Sequence, residues 1–91
     1  MVRYRVRPDA VAENLRLVRA VYQELGAIQP TGLRYSTVQI DETAFVHFAV
    51  LETDDNPLDQ LAAFRAFTAE IGDRCEEGPQ ATFGRIVSSY G

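Results

Sequence analysis

One side chain in this 91-residue chain, His47, has an ordinary pKa near neutrality. It lies in the run LRYSTVQIDETAFVHFAVL, residues 33–51, which reads as two strands joined by a tight acidic turn. With Asp41 and Glu42 as the two turn residues, Ile40 pairs with Thr43, Val38 with Phe45, Ser36 with His47 and Arg34 with Ala49. That register gathers an imidazole, a hydroxyl and a guanidinium on one face. Arg5 of a neighbouring strand joins them, and Phe45, Val38 and Ile40 form dry walls. Such a set marks a candidate pocket, but residue types alone do not name its reaction. His47 and Arg34 are the candidate catalytic residues, and Arg5, Ser36, Val38 and Phe45 are the candidate binding residues. Tyr35 points the other way, toward the helices. A plainer reading stands beside this one: a hydrogen-bonded core histidine, with arginines that pair with acids at the surface.

The flanking chain supplies the elements that must position these groups. Val2 to Arg7 alternates strictly, with Val2, Tyr4 and Val6 opposite Arg3, Arg5 and Arg7, which predicts a strand with one apolar face. Pro8 suits the first turn of a helix, and Val11, Leu15, Val18, Tyr22 and Leu25 continue it as one apolar stripe that Gly26 caps. Asn14 is expected on the solvated side of that helix, and the hydroxyls of Tyr4 and Tyr22 at the rim of the core. Asn56, Pro57 and Asp59 mark a second helix start. Its stripe runs through Leu58, Leu61, Phe64, Phe67, Ile71 and Cys75, and the helix closes between Arg74 and Gly78. Ala81 to Tyr90 reads as a last strand.

Composition narrows the function classes. Net charge is −4, with nine Arg, no Lys and thirteen acids, so a phosphate backbone is a poor partner and no nucleic acid is expected. No apolar run approaches a membrane span and the N-terminus has no apolar signal core, so no membrane is expected and the cytoplasm is the expected compartment. One Cys with one His cannot build a zinc cage within one chain, and no cofactor is expected. Residues 1–91 form a single domain.

The predicted order β-α-β-β-α-β implies an α+β, ferredoxin-like domain: a four-stranded antiparallel sheet with both helices on one face and strands one and three central. Phe45, His47, Ala49 and Leu51 lie on one side of strand three, and Val46, Phe48 and Val50 on the other. Both sides are apolar, yet two helices cover only one. A second copy packed sheet to sheet would cover the other, so a homodimer enclosing a shared barrel is expected.

The sequence YRVRP, a helix, GLRYSTVQI, AFVHFAVLE, NPL, a second helix and RCEE resembles, over essentially its whole length, the dimeric α/β-barrel proteins, and among them bacterial proteins of the antibiotic-biosynthesis monooxygenase family. That resemblance implies oxidation of a small aromatic or quinol by molecular oxygen without a bound cofactor. On that resemblance His47 would be the base that forms the substrate anion and Arg34 the cation that holds it before it meets oxygen. Well-studied members place substrate and oxygen with a Trp and an Asn. This chain has no Trp and only Asn14 and Asn56, so that set does not carry over. A haem-degrading role loses support as well, because His47 belongs to a strand. Two alternatives use the same pocket: a non-catalytic dimeric module that binds a ligand or supports a partner, and an isomerase-like acid-base enzyme.

Overall fold

Alternating apolar residues at one end and an interrupted stripe at the other give the chain its two unequal halves. In the computed structural model, which describes residues 1–90, β1 spans Val2–Val6 and buries Tyr4 and Val6. Pro8 opens a single 3-10 turn, Pro8–Ala10, which runs into α1, Val11–Ile28. Its expected stripe packs inward, joined by the buried Val21 and by Asn14, which is 0% exposed rather than solvated. The helix runs past Gly26 and ends at Gln29, which takes a left-handed φ of 52° and returns its N–H to the Leu25 carbonyl. Pro30, lacking an N–H, cannot extend it.

β2, Leu33–Gln39, and β3, Ala44–Leu51, form the hairpin with a register one residue away from the expected one. Thr37 stands opposite His47, Tyr35 opposite Ala49, Ser36 opposite Phe48 and Arg34 opposite Val50. The turn holds three residues, Asp41, Glu42 and Thr43, closed by the Ile40 N–H on the Ala44 carbonyl at 2.9 Å. A two-residue turn needs positive φ, which neither Asp41 nor Glu42 adopts; Gln29 is the one non-glycine with positive φ among the described residues. Instead Asp41 Oδ1 accepts from the N–H groups of Thr43 and Ala44 at 2.9 and 2.8 Å, so a side chain does the work of a backbone conformation. Those bonds, with Arg5 beyond them, hold its carboxyl below the usual range. Because side chains alternate with period two, one extra turn residue reverses every facing assignment in β2 relative to β3.

The second helical region is broken where a single helix was expected. Asn56 Oδ1 accepts from the Leu58 N–H at 3.0 Å, the expected cap, but it caps a 3-10 turn, Pro57–Gln60. Leu61 is extended, α2 covers Ala62–Ala69, Glu70 leaves helical geometry, and a short α3 covers Ile71–Arg74. No residue beside α2 caps it. Glu24 of α1 does so from across the interface, accepting the Ala63 N–H at 2.8 Å. β4 is Cys75–Ala81, six residues earlier than predicted, so Cys75 opens a strand rather than closing a helix. Of the predicted Ala81–Tyr90 strand only Ala81 belongs to β4. Met1 and Thr82 extend the pairing by one backbone bond in each direction, and Phe83, Val87 and Tyr90 are exposed.

The sheet order is β2-β3-β1-β4, with all neighbours antiparallel, an arrangement consistent with a ferredoxin-like domain. Tyr4, Val6 and Phe45 of the sheet pack with Val18 and Val21 of α1 and with Leu58, Leu61 and Phe67 of the second helical region as one core. The far face carries Arg3, Arg5, Arg34, Ser36, Val38, Val46, Phe48 and Val50 and has no helix over it. Val38 is 46% exposed, Phe48 44% and, next to them, Ile40 61%. No helix among the described residues is long and apolar enough to cross a membrane.

Candidate functional site

His47 lies under the helices, 5% exposed, held at both ring nitrogens. The Tyr4 hydroxyl is 2.7 Å from Nε2, while the Tyr35 hydroxyl and Thr37 Oγ1 are 2.6 and 3.1 Å from Nδ1. Tyr4 arrives from β1 beside Phe45, and Tyr35 and Thr37 come from β2 at the positions that the three-residue turn brings round to this face. The ring is stacked against Tyr4 at 5.3 Å and lies tilted against Phe67 at 5.1 Å. Behind Tyr4 the contacts continue inward. Asn14 Nδ2 donates to the Tyr4 oxygen at 3.0 Å, and Arg74 Nε donates to Asn14 Oδ1 at 3.2 Å. Arg74 Nη2 donates to the Phe67 carbonyl in the last turn of α2 at 2.7 Å, and its guanidinium carbon sits 5.2 Å over the Phe67 ring. On the other side Tyr22 reaches Thr37 at 2.9 Å and stacks on Tyr35. No buried side-chain polar atom among the described residues lacks a partner.

Burial sets the ionisation of this cluster. It pushes the His47 imidazole down to about 4, so the ring is neutral at neutral pH. Burial also pushes the Tyr4 phenol up to about 12, against the opposing pull of the Asn14 bond and the Arg74 charge, and raises Tyr35 and Tyr22. His47 therefore lacks the near-neutral pKa that made it the candidate base.

Beside the cluster opens a cavity of about 710 Å3, within the range of small-molecule sites. Ala49 and Leu51 of β3, Leu58, and Phe64, Phe67 and Ile71 of the second helical region make it apolar, and Tyr35 with His47 forms a polar end. It lies between the sheet, α2 and the segment that follows β4, which contributes Thr82, Phe83 and Ile86.

The remaining predicted residues are spread around this site. Phe45 shares the histidine's face but is wholly buried against Tyr4, with ring centres 5.6 Å apart. Arg34, Ser36 and Val38 lie on the far face, through the register shift. Arg5 is there too, opposite Ala44, and its Nη1 bonds Thr43 Oγ1 at 2.6 Å and Asp41 at 3.2 Å. None of these four meets His47. Sequence reasoning missed Tyr35, Thr37, Asn14 and Arg74. A signal for the last two exists: Asn14 follows Val11 by three and precedes Val18 by four, and Arg74 follows Phe67 by seven and Ile71 by three. A polar residue inside an apolar stripe is a buried polar residue, which must find partners. No group of side chains among the described residues is arranged to hold a metal ion.

Comparison with known proteins returned no matching family model, no matching curated protein and no matching solved structure.

Proposed function

We propose that the chain is a cytoplasmic homodimer of ferredoxin-like subunits, each holding one small aromatic or quinol molecule in the cavity between sheet and α2 and oxidising it with molecular oxygen without a cofactor. One observation carries the reading: an apolar cavity of small-molecule size ends on the hydrogen-bonded pair Tyr35 and His47. The reaction class comes from the resemblance to antibiotic-biosynthesis monooxygenases. An apolar pocket suits it, because a substrate that has given its proton to bulk water and enters as the anion reacts with oxygen before it is reprotonated. For a ring CH2 the balance closes simply. One oxygen atom enters the product as a carbonyl and the other leaves as water, which takes both hydrogens. Arg34, on the far face, drops out of the anion-holding role, and Tyr35 takes it. Support for the dimer is the uncovered Val38, Ile40 and Phe48, an apolar face that a second sheet would remove from water.

A second reading is favoured by the imidazole itself. Pushed down to about 4 and bonded at both nitrogens, it offers no base near neutrality, as a non-catalytic ligand-binding module would not need one. Oxygen consumption separates the two. With phenols and quinols screened in an oxygen electrode, turnover that His47→Ala abolishes supports the enzyme. Saturable binding without oxygen uptake supports the module, and absence of both defeats the pocket.

A further inference from the structure

The contacts around His47 have a direction, and Arg74 sets it. A guanidinium only donates. Its Nε engages Asn14 Oδ1, so the amide nitrogen faces Tyr4 and donates to the hydroxyl oxygen. The Tyr4 hydrogen then goes to His47 Nε2, its remaining neighbour. A neutral ring that accepts at Nε2 carries its hydrogen on Nδ1. From there it donates to the Tyr35 oxygen, with Thr37 alongside. Reversing the order would set amide hydrogens against guanidinium hydrogens where both groups are buried, which is costly. Tyr35 thus receives a hydrogen from the ring and keeps its own to give. It bonds His47, has Thr37 beside it as a second side-chain partner, and lines the cavity, so its hydrogen can turn from Thr37 to an acceptor that enters there.

We infer that the cavity grips its ligand through a hydrogen-bond acceptor, a phenolate, enolate or quinone-type carbonyl oxygen, held by the Tyr35 hydroxyl at the end of a donor chain that starts at Arg74. This rests on the small-molecule reading above and names the group that the site recognises. Charge points the same way. Arg74 is 7% exposed, and no carboxylate among the described residues lies within ion-pair distance of it. The cavity lining includes Arg85 and no acid, although the chain has thirteen. A buried cation with no carboxylate in direct contact polarises each donor in the chain, and each link strengthens the next. Asn14 and Arg74 are positioning residues here: they touch no ligand and set where the hydrogens lie. The titratable groups facing the ring are Tyr4 from β1, Tyr35 from β2 and, through Thr37, Tyr22 from α1. All three stay neutral at neutral pH.

Asn14→Asp tests this without changing side-chain shape. The introduced carboxylate only accepts, so it keeps Arg74 and takes the Tyr4 hydrogen. The ring must then donate from Nε2, and Tyr35 must donate to Nδ1, withdrawn from the cavity. With one histidine in the chain, nitrogen NMR reads the tautomer directly. The expected result is hydrogen on Nδ1 in the native protein and on Nε2 in the variant. With 4-nitrophenol as probe, whose colour reports its ionisation, native protein should favour the bound anion. The variant should lose about tenfold of that preference, the scale of one hydrogen bond to a charged group. Hydrogen on Nε2 in the native ring overturns the inference, as does an unchanged tautomer or probe ionisation in the variant. Binding of the probe only as the neutral phenol also overturns it, while leaving the cavity reading intact. If neither 4-nitrophenol nor 1,4-naphthoquinone binds native protein, the cavity reading fails and the ligand class fails with it.

Discussion

The two faces of β3 are built from nearly the same kinds of side chain and meet different surroundings. Phe45, His47, Ala49 and Leu51 turn toward the helices, where Phe45 and His47 are buried and a cavity opens beside them. Val46, Phe48 and Val50 turn toward the side with no helix, where Val46 is buried but Phe48 and its neighbour Val38 stay nearly half exposed. Alternation reports that two faces exist. Which face is core depends on what lies above it, and that is decided by β1 and the helices. Tyr4 and Val6 carry the core across the sheet on the histidine's side, while Arg3 and Arg5 carry charge across the other.

Four substitutions or conditions break or sharpen this contrast. Phe45→Ala should cost about 3–5 kcal/mol by leaving a cavity in the core, read as a lowered denaturant midpoint. The next effect is a pH dependence. The folded imidazole sits near 4 against 6.5 when unfolded, so its neutral form favours the fold. That contribution is complete above pH 6.5 and is lost as pH falls toward 4, about 3 kcal/mol in all. His47→Gln should flatten the slope across that window; equal slopes in both proteins would mean that the ring is not buried neutral. Tyr4→Phe leaves His47 Nε2 and Asn14 Nδ2 without their partner and should cost about 1–3 kcal/mol in the same denaturation assay. Phe48→Thr, on the far face, should change the stability of the dissociated chain by no more than about 0.5 kcal/mol. The same change should weaken self-association in sedimentation runs. A cost for Phe48→Thr comparable to that of Phe45→Ala would erase the distinction between the faces.

Much of the fold was legible because long periodic runs speak for themselves. β1, α1 and the two hairpin strands follow from alternation and from one stripe over four turns. The hairpin's pairing was not, because it turned on whether Asp41 would cap its own turn, and a single residue there exchanged Ser36 and Arg34 for Thr37 and Tyr35 beside the histidine. The last strand was missed for a related reason. CEEGPQA has no apolar alternation, since β4 is an edge strand whose burial is slight beyond Cys75, while the Thr, Phe, Ile and Val that suggested a strand lie past its end. His47 and the wall residue Phe45 do share a face, but it is the helix side of the sheet rather than the expected side away from the helices. The cluster around the ring was hidden because Asn14 and Arg74 come from elements that meet only in three dimensions, sixty residues apart.

Arg74 also closes the end of α2, through its bond to the Phe67 carbonyl. One guanidinium thereby joins the seating of a helix terminus to the proton arrangement at a ring it never touches. Fraying of that terminus would release Asn14, free Tyr4 to turn its hydrogen either way, and blur the single tautomer into two. The pocket's selectivity would then fade although every wall around the ligand stayed in place.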